Sequence, residues 1–137
     1  MLICYLQKVF QVIDVPRQIQ YWLQGASEDW QVAHICLENG KTRHALFLAH
    51  LTLEKALKAH VCAKLESVPP RIHNLRRLFD MAQLPEIALY LQTLADINQF
   101  NIEGRYPEFL PVEPDLETAR HLMQQAGECY QWLTTQL

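Results

Sequence analysis

Glycine is scarce: four in 137 residues, and no two close enough to build a phosphate-cradling loop. Serine is scarcer still. Ser27 and Ser67 are the only two, and neither sits in a Gly-x-Ser-x-Gly elbow, which removes the serine-hydrolase arrangement. Cys4, Cys36, Cys62 and Cys129 form no CxxC pair and lie among apolar residues, where cysteine behaves as a small hydrophobe. That spacing argues against a disulfide framework or a zinc site, and predicts a reducing, cytoplasmic setting. Positive charge is not in excess: 12 Lys and Arg face 15 Asp and Glu, for a net charge of −3, unlike a general polyanion binder. No window approaches the roughly 18 apolar residues of a membrane span. Low-complexity tracts, long-period repeats and period-two runs of β-branched residues are also missing, which argues against disorder, a solenoid and strands.

What remains is an ordinary globular composition, 50% apolar and 20% charged, at single-domain length. The opening MLICYLQKVFQVIDVP lacks a basic leading region and is interrupted by Gln7, Lys8, Gln11 and Asp14. It reads as a short docking segment or extended start, so residues 1–16 are expected to be an extension and 17–137 the folded domain. Pro16, Gly40, Pro69-Pro70, Pro85, Gly104, Pro107, Pro111 and Pro114 then divide the chain into helical segments.

Segment 17–39 spaces Ile19, Trp22, Leu23, Ala26, Trp30, Ala33 and Leu37 by threes and fours, predicting one long amphipathic helix that stops at Asn39-Gly40. In segment 41–65, Ala45, Ala49, Ala56, Ala59 and Ala63 fall within a stripe about 80° wide, which lets a neighbouring backbone approach closely. Arg43, His50 and Glu54 form a second stripe there, and Lys41, His44, Lys55 and Lys58 mark the expected solvent side. Segment 74–83 is a short helix with Asn74 or His73 as its N-cap. Segment 86–101 is helical, and 116–137 carries an a/d seam from Leu116 to Leu137, capped by Asp115. The fold class is therefore all-α: an up-and-down bundle of four long helices and one short one.

Residues suited to chemistry are few. No two histidines stand at i, i+4, and His50 with Glu54 offers two metal ligands where a catalytic zinc needs three, so no metal or cofactor is expected. The stretch RIHNLRR at 71–77 places basic groups at a helix start, where free N–H groups favour anions. The plainer reading of that stretch is a solvated turn.

In sequence order, EDW..A in the first helix, A.F.AH..LEKALKA in the second, P..HNL..L and RYP occur together. This combination resembles the HEPN domain family, and the likeness runs from Tyr21 to Tyr130, about four fifths of the chain. The resemblance implies a prokaryotic helical bundle that forms a homodimer and is often paired with a minimal nucleotidyltransferase as a toxin–antitoxin system. Many family members are metal-independent ribonucleases that use an Arg-x(4–6)-His motif. In that motif the histidine assists proton transfer from the ribose 2′-OH, and the arginine offsets charge on the phosphate.

Arg105 stands where the family arginine is expected, but the positions five to seven further on are Leu110, Pro111 and Val112, with no histidine. The literal match in the chain is Arg43 with His50, displaced to the second long helix. The resemblance with its missing histidine predicts a non-catalytic or weakly catalytic partner in a HEPN/nucleotidyltransferase pair. Such a partner would dimerise and hold a nucleotide, an RNA or a protein through Arg105, Tyr106, Glu54, Lys58, His73 and Asn74. The alternatives are a ribonuclease toxin using Arg105 or Arg43 with His50, and a purely structural interaction module.

Overall fold

The computed structural model describes residues 13–103 and 105–137. Cys4, most of the extension 1–16, and Gly104 therefore lie outside the described residues. Five α-helices follow in order: α1 Val15–Glu38, α2 Thr42–Leu65, α3 Leu75–Ala82, α4 Ala88–Asn98 and α5 Leu116–Thr135, with one 3₁₀ turn at Pro107–Phe109 before α5. No strand occurs among the described residues. The chain is an all-α bundle, as its punctuation predicts.

Local signals start and stop these helices. Asp14 accepts from the Arg17 N–H at 3.2 Å, and Pro16 fits the first turn, where its missing N–H goes unnoticed. Gly25 interrupts nothing, and α1 is continuous. Gly40, at φ 72°, turns the chain from α1 into α2 in a conformation that glycine adopts without strain. Asn74 caps α3 by accepting from the Arg77 N–H at 3.1 Å. Asp115 caps α5 through the Thr118 N–H at 2.7 Å, a bond that holds its carboxyl below the usual range.

Helix α2 is the spine, packed against α1, α3, α4 and α5. Accordingly it is buried nearly all round, as a helix surrounded by partners must be. Ala45, Ala49, Ala56 and Ala59 of the alanine stripe are at most 1% exposed, whereas Ala63 has run out beyond the packed region. Ala49→Leu is expected to destabilise the protein by about 1–3 kcal/mol through overpacking, and Ala63→Leu by less than about 0.5 kcal/mol. Urea denaturation of both variants checks the contrast.

On α5, Ala119, Met123, Ala126 and Leu133 of the seam are buried, while Leu116 and Leu137 at its ends are exposed. Aromatic pairs seal the sides. Trp30 of α1 lies 5.8 Å from Tyr130 of α5, and Tyr90 of α4 stacks on Trp132 at 4.7 Å.

Two expectations change. Helix α4 ends at Asn98 rather than running to residue 101, and the Asn98 side chain accepts the Leu75 N–H of α3 at 3.0 Å. Lys58 is not on a solvent face: it is 5% exposed, and Lys55 is half-buried, while Lys41 and His44 are exposed as expected. The reason is tertiary, and it leads to the polar centre of the molecule.

Candidate functional site

His50, Glu54 and Lys58 follow one another at i, i+4 along α2, so their side chains stack on one side of the helix. Glu54 is 4% exposed, and both of its oxygens are engaged. Its Oε2 accepts from Lys58 Nζ at 3.2 Å, and its Oε1 lies 2.9 Å from His73 Nδ1. Lys58 in turn sits 5.3 Å from the centre of the Trp22 ring of α1, a cation–π contact that covers the buried ammonium on its remaining side. A carboxylate beside an ammonium can only accept, so the proton between Glu54 and His73 belongs to Nδ1 of the histidine. His73 is thereby oriented with its Nε2 edge turned away from Glu54, and its side chain is 57% exposed. The chemistry available here is that of a carboxylate-steered surface imidazole, able to accept a proton or a hydrogen bond.

The loop that delivers His73 leaves α2 through Glu66 in the left-handed conformation, φ 51°, and is stiffened by Pro69 and Pro70. It ends at Asn74, the cap of α3. With Asn74 accepting the Arg77 N–H and Asn98 the Leu75 N–H, two of the leading donors of α3 are already occupied. Arg76 is committed as well, to Asp80 at 3.0 Å and Glu86 at 3.2 Å. The stretch 71–77 is thus a capped helix start in which Arg76 is paired, while Arg71 and Arg77 are exposed with no ion pair among the described residues.

His50 is different in kind. It is fully buried, its Nδ1 stands 3.9 Å from Glu54, and neither ring nitrogen meets a partner at full hydrogen-bond geometry, although the His73 backbone and the Asn98 side chain lie close to the ring. Burial pushes its pKa down to about 4, against a smaller opposite pull from Glu54. At neutral pH the ring is therefore uncharged, and the 3.9 Å approach is not an ion pair.

Arg105, Tyr106 and Arg43 stand apart from this centre. Arg105 is exposed on the segment between α4 and α5, where its Nη1 donates to the Gln99 carbonyl at 3.2 Å and the Phe109 carbonyl at 3.4 Å, drawing the two sides of its own loop together. Tyr106 is 71% exposed. Arg43 lies in the first turn of α2, half-buried, about 16 Å along the axis from Glu54 at about 1.5 Å per residue. No hydrogen bond or ion pair joins these three to the Glu54 centre among the described residues, and none there form a metal-holding group of three His, Cys, Asp or Glu. Sequence reasoning missed Trp22 and Asn98. Both look like ordinary helix residues, and no local pattern links residue 22 to 58 or 98 to 75.

A helical bundle whose charged side chains are anchored inward on a central helix defines a compact all-α domain with one oriented imidazole at its surface. The chain belongs to the HEPN domain family, whose model matches residues 19–136. Among solved structures it is similar to TT1696 from Thermus thermophilus, with 22% identity and a TM-score of 0.72 over 88% of this chain and 98% of that one. It is also similar to ST0689, an archaeal HEPN homologue, with 18% identity and a TM-score of 0.66 over 86% of this chain and 96% of that one. A comparison with curated proteins gives no match. No described helix is long and apolar enough to cross a membrane.

Proposed function

We propose that this HEPN protein acts by binding rather than by cutting RNA. In this reading it is a homodimeric, cytoplasmic partner of a minimal nucleotidyltransferase in a toxin–antitoxin-like pair. It holds the partner, or a nucleotide phosphate, through the surface around His73 and Asn74 and through the Arg105–Tyr106 loop. The observation that supports the reading most is the state of His50. The chain's one Arg-x(6)-His match has its histidine fully enclosed and uncharged, out of a substrate's reach. Arg105 still has guanidinium donors to offer beyond the nitrogen that closes its loop.

Co-expression and copurification with a neighbouring nucleotidyltransferase is the test. The complex should survive at micromolar concentration, and Arg105→Ala should weaken it about tenfold, the scale of one charged hydrogen bond, while changing stability by less than about 1 kcal/mol. Clean separation of the two proteins counts against the pairing. An Arg105→Ala protein that dimerises and binds like the wild type points to a purely structural module.

One observation favours a second reading, weak metal-independent RNA cleavage: the imidazole of His73 is held by a carboxylate at 2.9 Å, the arrangement a general base requires. That activity would disappear in His73→Ala and persist in His50→Gln.

A further inference from the structure

Between α1 and α2 lies a cleft of about 260 Å³ lined by Tyr21, Trp22, Gln24, Gly25, Glu28 and Lys55. Its existence depends on Gly25. A Cβ at that position would stand 3.1 Å from Lys55 Cδ, so a larger side chain would crowd the lysine and fill the space. Tyr21 and Trp22 meet edge to face, 5.3 Å apart and inclined at 80°, which forms an aromatic corner. We propose that this cleft is a binding site for a small organic ammonium compound.

The charges decide the sign of the ligand. Lys55 is held by Asp29 at 2.7 Å, and Lys58, beneath the Trp22 ring, by Glu54 at 3.2 Å, so both ammonium groups beside the cleft are neutralised by their own carboxylates. Glu28 has no ion-pair partner among the described residues; its contact is a 3.3 Å hydrogen bond from Gln24 Nε2. The net charge facing the cleft is therefore a single carboxylate beside the Tyr21 and Trp22 rings, a combination that attracts alkylated or primary ammonium groups. An anion would have to pull Lys55 away from Asp29 and tolerate Glu28.

The volume equals roughly nine waters at about 30 Å³ each, which admits a compound with about as many non-hydrogen atoms.

Choline is the probe that meets these terms. Titrated into isotope-labelled full-length protein, it should shift the Trp22 indole N–H signal saturably, with half-saturation in the millimolar range or below. The neutral isostere of choline, with carbon in place of nitrogen, should bind about tenfold more weakly. Glu28→Gln, a change on the exposed surface, should weaken choline by about threefold, and Gly25→Leu should abolish the shift while the thermal melt still shows a folded protein. The proposal is overturned by the absence of a saturable shift at tens of millimolar choline, or by equal binding of the neutral isostere. It is likewise overturned if adenosine monophosphate moves the same signal and choline does not.

Discussion

Glu54→Ala is expected to lower the unfolding free energy by about 3–5 kcal/mol, the range found when one partner of a buried ion pair is removed. Lys58 explains the size. Its side chain is 6% exposed and its ammonium has Glu54 and the Trp22 ring as its compensation, so without the carboxylate a charge is left in the interior. His73 would lose its anchor at the same time, loosening the loop that enters α3. Much of that loss returns when the charge goes with its partner: a Glu54→Leu, Lys58→Met double variant should recover most of the stability. His73→Ala, which removes a more exposed partner, should cost about 1 kcal/mol or less. Urea midpoints at neutral pH measure all three, and a loss below about 1 kcal/mol for Glu54→Ala would contradict the buried network.

The second large effect is on pH dependence. His50 titrates at 6.5 when unfolded and at about 4 in the folded protein, because burial disfavours its charged form. Between those values the unfolded chain binds a proton that the native chain does not, so stability falls as pH falls through that window. At about 1.4 kcal/mol per unit, the loss from His50 is about 3 kcal/mol by pH 4 and none above the unfolded value. His60 contributes in the same direction: its pKa is also lowered by burial, in part offset by its 2.6 Å bond to the Leu133 carbonyl. His50→Gln keeps a polar group in place and removes the titration. The stability of the wild type should therefore drop more steeply than that of the variant between pH 6.5 and about 4, by about one proton's slope. Parallel curves would mean that His50 is accessible to protons in the native state.

What could be read from the sequence was local. Asn74 and Asp115 cap helices through residues three positions away, and the threes-and-fours spacing of α1 and α5 needs no knowledge of a partner. The family likeness was equally legible, because four short motifs kept their order along the chain. What escaped was set by contacts between distant segments. Lys58 looks like the outer edge of an amphipathic helix until Trp22 is brought from α1 and Glu54 is found one turn away. The side chain of Asn98 serves a different helix, 23 residues back, a link that no local pattern shows. Glu54 and His73, named separately as candidates, become a pair only when the Pro69–Pro70 loop folds back over α2. Arg105 suggested half of a catalytic motif, yet the carbonyls it holds belong to its own loop.

Binding without RNA cleavage is the function proposed for this HEPN protein. A cleavage assay on end-labelled RNA, with purified protein and a chelator present, tests it most directly. The RNA should stay intact through an incubation in which the protein still captures the nucleotidyltransferase proposed as its partner. Cleavage by the wild type that is abolished by Arg105→Ala would contradict it.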